Sequence, residues 1–253
     1  QRGAHMEDGD NRLIEELLSG EEDAYEKVNR FMDLMMRYNS AIREVRTKFE
    51  VLNEELSYKT SRNPIESITS RVKRPLSIAN KLHRLGKPVT IEAISENLND
   101  VAGIRVVCSF IDDIYKVAEM LARQDDITVV NVKDYIQKPK PNGYRSYHMI
   151  VEVPVFFSDG KQMMRVEIQI RTVAMDFWAS LEHQMKYKKE SADRPEIAAE
   201  LKSCAETIAA TDARMLGIRR RIESLEKQSE EQRDGEKKEE LYSSSAIRAF
   251  RLS

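Results

Sequence analysis

The chain has 253 residues, room for one large domain or for one domain with a helical appendage. Apolar residues make up 41%, enough for a real core, yet no apolar run approaches the ~18–20 residues of a membrane span and no signal-peptide core is present. Charged residues are 33% of the chain but the net charge is −2, so total charge excludes no partner and the distribution of charge must be read instead.

The first six residues, QRGAHM, look like an expression-tag remnant and are set aside, His5 with them. Residues 7–63 read as N-terminal helices. Leu13, Ile14, Leu17 and Leu18 form a short apolar face, and Phe31, Leu34, Met35, Tyr38, Ile42, Val45, Phe49 and Leu52 form a long one at 3–4 spacing. Residues 57–63 break the pattern, and Pro64 can start a new turn.

Next comes RVKRPLSIANKLHRLGK, Arg71–Lys87, inside a stretch with no acid between Glu66 and Glu92. Pro75 suits the first position of a helix and Gly86 its end. That helix would carry Ser77, Lys81 and Arg84 on one face, with Arg71 and Lys73 just before it. A solvated basic face is the bland account; the unbroken absence of acids favours an anionic ligand. After a short helix over Ile91–Leu98, residues 101–110 are β-branched and apolar, a buried strand with Asp100 at its start. Arg105 stands inside that strand, where a buried charge must be paired or bound to something. Asp112–Arg123 is an amphipathic helix, and Ile127–Ile136 a second strand.

Residues 137–146, QKPKPNGYRS, form the longest aperiodic insert. Pro139, Pro141 and Gly143 forbid regular structure, and Asn142-Gly143 signals a turn. No acid occurs between Asp134 and Glu152, and Lys138, Lys140 and Arg145 interleave with Tyr144 and Tyr147, as in surfaces that stack bases and hold phosphates. An exposed hairpin loop is the alternative. Ser146–Phe157 is a third strand. Met164–Thr172 is a fourth: Val166, Ile168 and Ile170 point one way, and Arg165, Glu167, Gln169 and Arg171 the other. Val173–Lys189 is a helix in which His183 reads as a structural histidine. A long helix restarts at Pro195 and runs to about Gln228, followed by a charged tail expected to be flexible. Cys108 and Cys204 read as reduced, buried thiols of a cytoplasmic protein. These elements predict an α+β fold, a mixed or antiparallel sheet with helices on one face.

No P-loop, no G-x-G-x-x-G and no zinc-spaced Cys/His cluster is present. Two acids, Asp100 and Glu167, stand among three cationic stretches. That is the equipment of a Mg²⁺-dependent phosphoryl-type transfer, in which carboxylates hold the metal and cations neutralise developing charge.

The block R-V-K-x-x-x-S-I-x-x-K-x-x-R at Arg71–Arg84 resembles the ATP-side motif of RelA/SpoT-type alarmone synthetases. Asp100–Arg105 (DVAGIR), Lys140–His148 (KPNGYRSYH), Glu167–Thr172 (EIQIRT) and Phe177–His183 (FWASLEH) resemble their other motifs, in the family's order. The length resembles the small, single-domain members, closest to the RelQ type. The resemblance implies a nucleotidyltransferase-like sheet over residues 64–190, a C-terminal helix over 191–229 used in oligomerisation, and a charged tail over 230–253. It implies transfer of the β,γ-pyrophosphate of ATP to the 3′-hydroxyl of GDP or GTP, with GMP as a further possible acceptor. Arg71 and Arg105 would enclose adenine. Lys73, Lys81 and Arg84, helped by Ser77, would hold the ATP phosphates. Asp100 and Glu167 would bind Mg²⁺, and Glu167 would also orient or deprotonate the 3′-hydroxyl, steadied by Gln169 with Arg171 as support. Tyr144 would stack on guanine, with Lys138, Lys140, Asn142 and His148 around the acceptor. A homotetramer is expected, and neither a membrane nor DNA as partner. The resemblance implies that some small members bind their own product in a central cleft and are activated by it; Ser67 and Asp176 depart from that pattern, Asp176 would repel a phosphate-rich ligand, and weak or absent activation is expected here. The competing reading is a module of the same fold that binds nucleotides or single-stranded RNA without catalysis.

Overall fold

The structure is a computed structural model that describes residues 24–60, 62–187 and 195–250. The tag-like segment and the short apolar face of Leu13–Leu18 lie outside the described residues. Helix α1 (Ala24–Thr60) follows the long apolar stripe: Phe31, Leu34, Tyr38, Ile42, Val45, Phe49, Leu52 and Leu56 are all buried along one face. At its foot Arg62 donates both Nη atoms to the buried Asp113 carboxylate, at 2.7 Å each, a bidentate fork that fixes where the chain turns into the sheet.

The chain then runs β1 (Ile65–Val72), α2 (Pro75–Arg84), α3 (Ile91–Asn97), β2 (Ala102–Cys108), α4 (Ile111–Ala122), β3 (Thr128–Asp134), β4 (Tyr147–Phe157), β5 (Gly160–Thr172), α5 (Val173–Tyr187) and α6 (Pro195–Phe250). The five strands form one sheet in the order β1-β2-β5-β4-β3. Only β2 and β5 pair in parallel, so the sheet is mixed, as expected of an α+β fold. Strand β1 was not expected. Its register slips between Ile65 and Ser67, and it forms an edge with most residues exposed, so its alternation is hidden in the sequence. Strand β5 starts at Gly160, four residues before the expected Met164, because the hairpin from β4 pairs Phe157 with Gly160.

Ile104, Val106, Met149, Val151, Val166, Ile168 and Ile170 all face one side of the sheet and share a core with Val45 and Phe49 of α1 and Ile114 and Leu121 of α4. The opposite side carries the polar strand positions. Cys108 is buried in that core and burial pushes its thiol far up. Cys204 is exposed, against expectation: on α6 the residues that turn inward are Leu201, Ala205 and Ile208, and position 204 falls off that stripe. Contacts divide the chain into two units, one ending at Ile208 and the other holding the rest of α6.

Candidate active site

Strand register sets two rows of side chains across the polar side of the sheet. One row reads Thr69, Arg105, Gln169, His148, Lys133. The next reads Arg71, Gly103, Glu167, Ile150, Asn131. Alternation within each strand therefore places Glu167 and Gln169 in the same rows as Arg71, Arg105 and Lys133, cations from three other strands, and as His148. A cleft of about 750 Å³ lies over these rows, within the usual size of a small-molecule site. A smaller adjoining cavity holds Lys73, Ser70 and Gly103. Arg71, Asp100, Arg105, Glu167 and Gln169 line both, so the two lobes meet at the carboxylates.

Asp100 stands just before β2, where the Lys73 amide donates to the Val101 carbonyl at 2.8 Å and brings the two side chains together. Its Oδ2 accepts from Lys73 Nζ and from Lys81 Nζ, each at 2.7 Å. Burial works against the Asp100 charge, but the two lysines outweigh it and hold its carboxyl below the usual carboxylate range. Its other oxygen, Oδ1, is buried with no hydrogen-bond partner. Glu167 Oε2 accepts from Gln169 Nε2 at 3.1 Å, and Glu167 Oε1 lies 3.8 Å from His148 Nδ1. Burial again opposes ionisation; His148 and Gln169 prevail, and the Glu167 carboxyl also sits below its ordinary value.

No three His, Cys, Asp or Glu side chains converge on a metal site among the described residues. The donor set is two carboxylates in one cleft, the number Mg²⁺ takes from a protein when substrate phosphates and water complete its octahedron. The unpartnered Oδ1 of Asp100 fits that role.

Tyr144 anchors the other end of the cleft. Its hydroxyl is bonded to His148 Nε2 at 2.8 Å and accepts from Arg171 Nη2 at 2.6 Å. The Lys140 ammonium lies 4.7 Å from the centroids of both the Tyr144 and Tyr135 rings. The loop between β3 and β4 is tied down on three sides. Asp134 Oδ1 caps the amides of Ile136 and Gln137, and the Tyr115 hydroxyl donates to Asp134 Oδ2. Burial and that carboxylate push the Tyr115 pKa up to about 12. Asn142 Oδ1 accepts from the Tyr144 amide, while Asn142 Nδ2 donates to Glu182 of α5 at 3.0 Å. Tyr144 also rests on a small apolar cluster of Trp178, Ala179, Leu201, Ala205 and Ile208.

Of the residues expected at the site, Arg71, Lys73, Lys81, Asp100, Arg105, Lys140, Tyr144, His148, Glu167 and Gln169 line the cleft. Ser77, Arg84, Lys138 and Asn142 line neither lobe. Arg171 is buried and serves as support, donating to Gln169, Tyr144 and Asp176. His183 is exposed and lines the cleft beside Glu182 and Gln184 of α5, rather than being packed as a structural histidine. Sequence reasoning also missed Asn131, Lys133 and Tyr135. Their spacing of two residues on and beyond β3 is the signal that could have found them.

Residues 70–192 match the family described as a region found in RelA / SpoT proteins. The GTP pyrophosphokinase YwaC of Bacillus subtilis is 45% identical over 189 residues, 75% of this chain and 90% of that protein. The crystal structure of small alarmone synthetase 1 from Bacillus subtilis bound to its product pppGpp superposes with a TM-score of 0.70 at 36% identity, covering 77% of this chain and 98% of that one. The same protein bound to AMPCPP gives a TM-score of 0.66 at 34% identity, over 78% and 99% of the two chains. With the shared sheet, the cationic cleft and identity spread over three quarters of its length, the chain belongs to the RelA/SpoT family, among its small alarmone synthetases.

Proposed function

We propose that this chain is a (p)ppGpp synthetase that transfers the β,γ-pyrophosphate of ATP to the 3′-hydroxyl of GDP or GTP and releases AMP. The observation that carries this reading is the meeting of the cleft's two lobes at Asp100 and Glu167, between guanidinium and ammonium groups on one side and Tyr144 on the other. The names of the relatives, a GTP pyrophosphokinase and a synthetase bound to pppGpp or AMPCPP, support the same substrates.

Arg71 and Arg105 enclose the adenine, as guanidinium planes do with a purine that needs no base-edge readout. Lys73 and Lys81 hold the triphosphate, and Ser77 and Arg84, on the same helix face as Lys81 but outside both lobes, could meet only phosphate that extends beyond the cleft. Tyr144 stacks on the guanine, Lys140 and His148 position the acceptor, Asn142 holds the loop through Glu182 and the Tyr144 amide, and Lys138 is exposed on that loop outside both lobes. Glu167 accepts the proton of the 3′-hydroxyl as its oxygen attacks the β-phosphorus. The bond from the β-phosphorus to the α–β bridging oxygen breaks and AMP departs. Gln169 steadies Glu167 and the hydroxyl. Asp100 and Glu167 would hold a Mg²⁺ ion, which would supply charge neutralisation for the phosphate groups. The rest of catalysis is alignment of two nucleotides for in-line displacement.

A homotetramer accords with the apolar side chains exposed on helices, Met32, Met36 and Val51 on α1 and Met215, Ile218, Ile222 and Leu225 on α6. No helix among the described residues is long and apolar enough to cross a membrane. A cytoplasmic location suits the substrates.

The test is incubation with Mg²⁺, γ-labelled ATP and GDP, GTP or GMP, followed by product separation. Labelled pppGpp or ppGpp is expected. Binding of both nucleotides with no labelled guanosine product from any acceptor sinks the synthetase reading and leaves a binding module.

A further inference from the structure

Asp176, in the first turn of α5, lines neither lobe of the cleft, yet it holds two arginines that do. Its Oδ1 stands 3.1 Å from Arg171 Nη1 and 3.4 Å from Arg105 Nη1. Arg105 is on β2 and Arg171 on the neighbouring β5, so two like charges are brought side by side. A shared carboxylate oxygen is what lets both guanidinium groups remain there. The contact continues in both directions. Arg171 Nη2 donates to the Tyr144 hydroxyl at 2.6 Å and to Gln169 Oε1 at 2.8 Å. Gln169 Nε2 donates to Glu167 at 3.1 Å, and the Tyr144 hydroxyl is bonded to His148. Arg105 is only half anchored, with a side chain 38% exposed and a buried Nε that has no partner.

We propose that Asp176 is a positioning residue that couples the two nucleotide subsites, transmitting order from the donor-side Arg105 through Arg171 to the acceptor-side Tyr144 and to the Glu167–Gln169 pair. The proposal rests on the functional reading above, which puts ATP against Arg105 and the guanine nucleotide against Tyr144. A purine lying on Arg105 fixes its guanidinium against Asp176. Asp176, so fixed, restrains Arg171, and Arg171 restrains the Tyr144 hydroxyl. The first nucleotide bears the ordering cost of this wall and the second binds to a wall already ordered, so each raises the affinity of the other. By linkage the factor is the same in both directions. The carboxylate also acts locally: paired with Arg171 and Arg105, Asp176 presents much less bare negative charge than its sequence position suggests, which weakens the expectation that it repels a phosphate-rich ligand.

The test is calorimetric titration of the full chain with GDP, with a non-hydrolysable ATP analogue and Mg²⁺, and with each in the presence of the other. In the unmodified chain the analogue should tighten GDP binding by about fivefold or more, in the range usual for coupled sites. Asp176→Asn, of nearly the same shape, should bring that ratio close to unity while each nucleotide alone still binds. Asp176→Glu should restore part of it. Tyr144→Phe, which keeps the ring and removes the hydroxyl that Arg171 reaches, should lose the ratio as well. A full ratio in Asp176→Asn, or no ratio in the unmodified chain, overturns the proposal. So does a variant whose melting temperature and separate affinities fall together while the ratio persists, the mark of a merely structural role. If the unmodified chain binds neither nucleotide, it is the functional reading that fails, and the coupling falls with it.

Discussion

Gly143 and Ala205 approach so closely that a Cβ on the glycine would stand 2.6 Å from the Cβ of the alanine. The loop carrying Tyr144 is thereby pressed against the first turns of α6, and Arg145 Nη1 bonds both the Gly143 carbonyl at 3.1 Å and the Ala205 carbonyl at 3.4 Å. Gly143 also adopts φ +89°, in the region that L side chains rarely enter.

Gly143→Ala therefore meets two penalties, backbone strain and contact with Ala205. Left-handed strain alone costs about 1–2 kcal/mol, roughly a tenfold change in an equilibrium. The loop should loosen, and the KM for the guanine nucleotide should rise by about that factor while the KM for ATP moves little. Steady-state kinetics with each substrate varied in turn checks this. Equal increases in both KM values would show that the loop does not belong to one subsite.

Gly103 makes the opposite kind of prediction. It sits in the row between Arg71 and Glu167, and an added Cβ would come no nearer than 3.6 Å to the Arg71 carbonyl, an ordinary contact. Gly103→Val should fold normally, because a strand accepts a β-branched residue. Its methyl groups would occupy the smaller lobe beside Glu167 and displace the reacting groups. Displacement by about 1 Å costs on the order of a hundredfold in turnover. A variant with an unchanged melting temperature and at least that loss is expected; full activity would remove the smaller lobe from the reaction path.

Much of this site is legible in the sequence. The alternation of Met164–Thr172 separates Val166, Ile168 and Ile170, which are buried, from Glu167 and Gln169, which line the cleft. The acid-free stretches point to Lys73, Lys81 and Lys140, which reach it. What escaped the sequence depends on register and helix orientation. Asn131 and Lys133 enter only because β3 pairs with β4 in one particular register. Glu182 and His183 enter only because α5 folds back over the sheet. Strand β1 hides behind an irregular register and an exposed edge. Helical spacing places Ser77, Lys81 and Arg84 on one face, but of these only Lys81 reaches Asp100.

Tyr144 is held by its hydroxyl, and a base that stacks on its ring would take the place of the Lys140 ammonium over it. Tyr144→Ala removes the stacking surface and frees Arg171 and Lys140 from their partner. Stacking of a base on an aromatic ring contributes about 1–3 kcal/mol, or roughly 5- to 150-fold in affinity. Guanine-nucleotide binding should weaken by an amount in that range, and binding of an ATP analogue by much less. Calorimetry on the two ligands separately decides it; a larger loss for the ATP analogue means that the two subsites are assigned the wrong way round.

The two carboxylates make a prediction about acid. Both lie below their ordinary values in the folded chain, Asp100 because Lys73 and Lys81 overcome the effect of burial, Glu167 because His148 and Gln169 do. A depressed value contributes stability that is complete above the unfolded-state pKa, about 3.9 for Asp and 4.3 for Glu, and is lost as pH falls through the folded-state value. Asp100→Asn leaves the two lysines facing each other without their acceptor, so it should melt at a lower temperature than the unmodified chain. The gap should be constant from pH 8 to about 5 and should close only below about pH 4, where the unmodified chain loses the same pairs. Glu167→Gln should lower turnover by about 10²–10⁴-fold at every pH while nucleotide binding survives, the usual share of a positioned proton acceptor. A gap in melting temperature that already closes between pH 7 and 5, or an acid limb near neutrality that vanishes with Glu167, would show that these carboxyls titrate higher than their surroundings dictate.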